Sequence, residues 1–266
     1  MALIASVGAA MAWAVTSSAA TLKAASKAEL HPIPSFDFAP YRLSGTVYGV
    51  LLNHAPALAA LGAKASEAPY KAPPKAPVLY VKPRNTLAAS GALSEVPAGV
   101  EALQIGANLG VVIGRATCRV AERDALSFVA GYVIVDDLSV PHDSFYRPAV
   151  RHKARDGSCV IGPAVVPRQR VPDADALAVR VFVDGELVQA TTTGQRIRPL
   201  ARLLADVTDF MTLAAGDILM LGTAADAPCA RAGHSVAIEI EGLGRLEHAL
   251  IQGSESPHSH AMEPRA

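Results

Sequence analysis

Residues 131–157 read GYVIVDDLSVPHDSFYRPAVRHKARDG, an apolar run that stops at the acidic pair Asp136 and Asp137. A polar loop then leads to Arg147, Arg151, His152, Lys153 and Arg155. A buried strand ending in carboxylates, with cations returning beside them, puts opposite charges at one end of a sheet, where ligands are commonly held. The chemistry this suits is capture of a small anion, because cations faced by carboxylates in the same segment do not make the uncompensated surface that a nucleic acid needs. A solvated turn with a surface salt-bridge cluster uses the same residue types, and the stretch by itself leaves both readings open. VLYVKPRNT has the same form on a smaller scale: a short strand over 78–81 delivers Lys82, Arg84 and Asn85 at its end. There the competing reading is a charged turn after an edge strand.

The elements that must position these groups are mostly strands. GTVYGVLLN (45–53) reads as one; Pro56 then opens an Ala/Leu helix to about residue 61, with Gly62 at its stop. Residues 64–77 hold four prolines and three lysines and read as a loop. A core strand centres on Val111, Val112 and Ile113, and 121–126 is a short helix. CVIGPAVV is a strand broken at Gly162 and Pro163, and LAVRVFVDGELVQ is a hairpin turning at Asp184 and Gly185. Residues 197–213 carry Leu200, Leu203, Leu204, Val207, Phe210 and Met211 at helical spacing, with Pro199 near the start. ILMLGTA ends a strand at Thr223, and SVAIEIEG is the last strand expected. The prediction is one strand-rich domain over 45–252, an extended or disordered extension over 1–44, and a disordered polar tail over 253–266.

Composition narrows the function classes. With 24 basic and 24 acidic residues in 266 the net charge is zero, so no nucleic-acid partner is expected. Cys118, Cys159 and Cys229 are too scattered for a disulfide framework or a CxxC metal knuckle and fit a reducing compartment. The first 22 residues are uncharged and Ala-rich. No Lys or Arg comes before the apolar run within them and Leu is scarce, so they suit neither export nor spanning well; the expectation is a cytoplasmic protein with no membrane partner, and export is the alternative if 1–20 is a signal. The chain has no glycine-rich phosphate loop and no internal repeat, which argues against nucleotide chemistry.

Taken in order, KPRNT, VVIGR, AGYVIVDDLS, DG followed by GP, DGELVQ, a Leu-rich helix ending in LAAGD, LGT and GLGRLE resemble the fumarylacetoacetate hydrolase family over about residues 45–252. GTVYGVLLNH, APYKAPPKAPV, KPRNT, and SFYRPA followed by KARDG bring it nearest to the isomerase/decarboxylase branch of 4-hydroxyphenylacetate catabolism. The resemblance implies an α+β, strand-rich fold with a β-roll core and a few short helices. It implies a homodimer or a hetero-oligomer with a paralogous subunit, a divalent metal (Mg²⁺ or Mn²⁺), and a 2-oxo or 2-hydroxy-dienoic dicarboxylate as substrate. Asp137 matches the family's metal-ligand aspartate, Lys153 the catalytic lysine, and Thr223 the threonine beside the substrate carboxylate. Arg84 and Arg147 are chosen on charge and position to bind the substrate, since a guanidinium fork holds both oxygens of a carboxylate.

Two departures shape the expectation. The family's paired metal-ligand glutamates fall here on Gly106 and Asn108, leaving Asp136, Asp143 or Glu101 as possible substitutes. The His and Glu that activate water in the family's hydrolases fall on Ala57 and Ala60; His54 is mis-spaced and reads as structural. Hydrolysis is therefore disfavoured against decarboxylation or isomerisation. A catalytically silent subunit paired with a metal-competent paralogue, and an organic-acid binding module, are the alternatives.

Overall fold

The computed structural model describes residues 45–142 and 149–254. The extension over 1–44, all but the start of the tail, Arg147 and Asp143 lie outside the described residues. In chain order the strands are β1 (Val47–Leu51), β2 (Val78–Lys82), β3 (Leu87–Ala89), β4 (Leu93–Val96), β5 (Leu103–Gln104), β6 (Ala107–Ile113), β7 (Val129–Asp137), β8 (Cys159–Ile161), β9 (Val166–Pro167), β10 (Ala178–Val183), β11 (Glu186–Thr192), β12 (Ile218–Met220), β13 (Cys229–Ala230), β14 (Ser235–Ile240) and β15 (Gly244–Gln252). Short helices α1 (Ala55–Ala60), α2 (Val150–Lys153) and α3 (Leu200–Thr208) interrupt them. Among the described residues no helix is long and apolar enough to cross a membrane.

One sheet runs β2-β1-β12-β6-β7-β8-β3, with β9 paired to β7, and a second runs β11-β10-β14-β15-β4. The first sheet is curled. Three strands separate β2 from β7, which in a flat sheet is roughly 19 Å at the usual strand spacing. Yet Tyr80 on β2 hydrogen-bonds Asp137 on β7. The 3₁₀ turn Arg84–Thr86 also carries the chain directly from β2 at one end of the sheet to β3 at the other. This is the β-roll that the resemblance implied.

Strand alternation then sorts side chains between two cores. Leu109, Val111, Ile113, Tyr132 and Ile134 enter the larger cluster, shared with Val179, Val181, Val236, Ile238 and Leu246 of the second sheet and with Leu200, Leu203, Leu204 and Val207 of α3. Val112, Val133 and Val135 face the other way, with Val47, Cys159, Ile161, Ile218 and Met220, into the roll. The Asp175 carboxylate accepts the Leu200 N–H at the start of α3, the kind of satisfaction that a helix N-terminus requires.

Several boundaries differ from expectation. The helix read over 197–213 is ordered as α3 only from Leu200, because Pro199 leaves Arg198 and Ile197 to bond Asn53 instead. The loop read over 64–77 opens with a 3₁₀ helix, Gly62–Ser66. The element read over 121–126 is also 3₁₀, Glu122–Phe128. SVAIEIEG is not the last strand: β15 follows it and pairs antiparallel with β14. Its alternation of Leu246, His248 and Leu250 is buried, but a histidine in an apolar slot hides the pattern. Strands β3 and β4 were also not anticipated, being short and set in a Gly/Ala/Ser-rich stretch.

Candidate active site

Period-two geometry builds the site from two strands. Tyr80 and Lys82, two residues apart on β2, share a face, and on β7 Asp137 lies on the face of Val133 and Val135, inside the roll. Asp136 points the opposite way, into the inter-sheet core, where its Oδ1 accepts the Gly106 N–H at 2.8 Å and its Oδ2 meets His248 Nε2 at 2.8 Å. The acidic pair is thus split by the pleat. The single turn of α2 returns the chain to β7, tied by Val140 N–H to His152 O at 3.0 Å, and it places Lys153 beside Asp137.

Asp137 is enclosed, with its side chain 0% exposed. Its Oδ2 accepts from Lys153 Nζ at 2.7 Å and from the Tyr80 hydroxyl. Lys82 Nζ lies 2.9 Å from Oδ1. The three protons of that ammonium are directed to Lys153 O (2.5 Å), Ser158 O (3.0 Å) and Ser158 Oγ (3.0 Å), so the Oδ1 contact is an ion pair without a hydrogen bond. Lys153 Nζ also sits 4.9 Å from the Tyr80 ring centroid, within cation–π range. Burial by itself would raise the Asp137 pKa, but Lys153 and Lys82 outweigh it and hold the carboxyl well below the usual range. Burial, then the neighbouring carboxylate, pushes the Tyr80 phenol well above its ordinary value, so it stays protonated. Opposite Asp137 in the β8 register, the Cys159 thiol is pushed up to about 12 by burial and is not a nucleophile.

Tyr80, Asp137 and Lys153 line a cavity of about 260 Å³, with Lys82 behind them. Thr223, Gln104, Ser139, His142 and Asp226 add polar atoms, and Val50, Leu51, Ala57 and Ala60 make the apolar side. Gly222, at φ +110°, turns the chain after β12 so that Thr223 reaches the cavity. Thr223 Oγ1 there accepts from Asn108 Nδ2 at 2.9 Å. His142 presents its ring with Nδ1 2.9 Å from Val140 O, and stacks on His152 at 4.8 Å.

Of the residues expected from sequence, the fold brings Asp137, Lys153 and Thr223 together. Arg84 is not among them: it lies on the 3₁₀ turn after β2 and borders a separate groove with Gly45, Lys82, Pro83 and Leu87. The strand ends at Lys82, so alternation aims Tyr80 and Lys82 at Asp137, and Arg84 falls past the last aligned position. That alternation was readable in VLYVK, whereas nothing local marked His142. His54 Nδ1 accepts the Ala225 N–H at 3.0 Å. Burial lowers its pKa and favours that neutral form.

The described residues do not fit a divalent cation. Hard cations need several open oxygen donors, and both oxygens of Asp137 are already matched by ammonium groups. At the expected glutamate positions, Gly106 has no side chain, and Asn108 has its amide committed, Oδ1 to Gly222 N–H at 2.8 Å and Nδ2 to Thr223. Asp136 faces away, and Glu101 is an exposed partner of Arg231. Among the described residues no group of three or more His, Cys, Asp or Glu is arranged to hold a metal.

Residues 46–251 match the family model described as fumarylacetoacetate (FAA) hydrolase C-terminal. The chain is 35% identical over 213 residues to the 4-hydroxyphenylacetate degradation bifunctional isomerase/decarboxylase of Escherichia coli, which covers 80% of this chain and 48% of that protein. The chain therefore spans about half the length of the curated relatives of this kind that it matches. Among solved structures, the 5-carboxymethyl-2-hydroxymuconate delta-isomerase from Mycobacterium smegmatis superposes with a TM-score of 0.68 at 25% identity, covering 80% of each chain. The fumarylpyruvate hydrolase from Pseudomonas aeruginosa, solved with Mn²⁺ and pyruvate, shares the fold with a TM-score of 0.67 at 24% identity over 78% of this chain and 90% of that one.

Proposed function

Because the chain belongs to the fumarylacetoacetate hydrolase family, we propose that it is a decarboxylase or isomerase of a 2-oxo (2-hydroxy-dienoic) dicarboxylate in 4-hydroxyphenylacetate catabolism. The substrates are 5-carboxymethyl-2-oxo-hex-3-ene-1,6-dioate for decarboxylation and 2-hydroxyhepta-2,4-diene-1,7-dioate for isomerisation. Such a protein works in the cytoplasm, as a homodimer or with a paralogous subunit. The observation that carries the reading is Lys153: a nearly buried ammonium, clamped by Asp137, on a cavity also lined by Val50, Leu51, Ala57 and Ala60. Both reactions pass through the same dienolate. Loss of CO₂ leaves the electrons of the broken C–C bond conjugated onto the 2-oxygen, and isomerisation moves a proton between that oxygen and a chain carbon. A preorganised ammonium facing the developing oxyanion lowers the barrier to either. His142 can carry the proton, and Thr223 can bond the adjacent carboxylate. Arg147 is assigned to the far carboxylate.

Ala57 and Ala60 stand where the family's hydrolases carry their water-activating His and Glu, which supports decarboxylation or isomerisation over hydrolysis. A second reading is supported by the match to about half of the bifunctional relative. In it the chain is the silent partner of a competent paralogue and contributes contacts only. Incubating the purified chain with each diacid and following dienol absorbance and CO₂ release tests the proposal. Turnover by the chain alone supports it, and turnover only after the paralogue is added supports the second reading. Lys153→Ala should lower kcat by about 10²–10³-fold, the usual loss for one preorganised donor, with an unchanged circular dichroism spectrum. Activity that survives the substitution would remove Lys153 from the mechanism.

A further inference from the structure

We propose that this cavity works without a divalent metal, with the Lys153 ammonium, locked by Asp137 and Tyr80, supplying the positive charge that the substrate oxygens meet. The inference rests on reading the cavity as the active site and not on which diacid reacts there. Three observations converge on it. First, Asp137 offers no open oxygen to the cavity. Its Oδ2 is engaged by Lys153 and Tyr80, while Oδ1 is buried behind Lys82 at 2.9 Å. Second, the local charge is already complete. Two ammoniums share the one carboxylate of Asp137, and a dication added at hydrogen-bonding distance from both would be repelled by each. Third, the backbone excludes a glutamate at the empty ligand position. A Cβ on Gly106 would lie 2.4 Å from Asp137 O, the carbonyl side of a strand end that is itself tied by Asp137 N–H to Gly106 O at 3.0 Å.

Tyr80 is the distinctive component. Its ring occupies the space left by Gly49 on the neighbouring strand, where a Cβ would lie 2.0 Å from Tyr80 Cζ. The hydroxyl therefore reaches across the roll to fill a lone pair that a metal would otherwise use. Lys153 spends one N–H on Asp137, and its other protons can face the cavity. Tyr80 is thus a positioning residue and Lys153 the group that meets substrate.

The test is Mn²⁺ titration of the chelator-dialysed full chain, followed by the electron paramagnetic resonance signal of the free ion. The expected result is no saturable site of one ion per chain, together with diacid turnover that chelator leaves unchanged. One Mn²⁺ per chain that broadens the His142 ring resonances would overturn the proposal, as would its loss in Asp137→Asn or Asp143→Asn. The broadening needs no variant, so it decides the matter even if Asp137→Asn fails to fold. Binding that leaves those resonances sharp is surface binding and upholds it. Because metal binding is read without turnover, an inactive chain that still binds no Mn²⁺ would count against the proposed reaction and not against this inference.

Discussion

At the scale of single residues, Asp137 is the centre around which three side chains are fixed. Removing one member of a buried ion-paired group leaves the others desolvated and unpaired, at a cost of roughly 3–5 kcal/mol. Asp137→Asn should cost about that much at neutral pH, measured by urea unfolding. The pH dependence has a definite sign. The folded carboxyl is held below its ordinary value by the two lysines, so its contribution is complete above that ordinary value and is lost only as pH falls towards the depressed one. The stability gap between wild type and Asp137→Asn should persist down to the ordinary carboxylate range and close in stronger acid; a gap that closes nearer neutrality would refute the assignment. Lys153 and Asp137 were legible in the sequence as charges at a strand end. Arg84 lies on a separate groove while Lys82 reaches Asp137, because residue charge says nothing about which residue is the last one aligned by the pleat.

At the scale of elements, two adjacent antiparallel strands divide the work. β2 delivers Tyr80 and Lys82, and β1 withholds a side chain at Gly49 so that the Tyr80 ring can lie over it. Gly49→Ala should therefore destabilise by roughly 1–3 kcal/mol, the range for overpacking. The same substitution in a Tyr80→Ala background should cost much less, because the colliding ring is gone. A double-mutant cycle by thermal denaturation measures the difference, and equal costs in the two backgrounds would deny the contact. Alternation made β10 and β14 readable as strands, and a continuous apolar run did so for β7. It failed for β15, where His248 occupies an inward position, and for β3 and β4, which are too short to display a period.

At the scale of the whole molecule, the roll and the second sheet meet at a polar contact inside an apolar core. His248 of β15 holds Asp136 of β7, both with side chains 0% exposed, and Asp136 in turn fixes the Gly106 N–H beside Asp137. His248→Ala should cost roughly 3–5 kcal/mol as a broken buried pair, within a single cooperative unfolding transition. Two separate transitions would mean that the sheets do not fold as one unit. The sequence by itself determined the strand-rich character and the gathering of charges around the strand end at Asp137. These follow from local periodicity and from residue types in a fixed order, and neither depends on distant contacts. Only the tertiary structure decided which charges meet. Curling brings β2 against β7 across three intervening strands, and the pleat sends Asp136 into the core and Asp137 into the cavity. The non-local pairing that closes a sheet leaves no mark on the residues at its two ends, so the Tyr80, Lys82 and Lys153 set around Asp137 becomes visible only once the roll is formed.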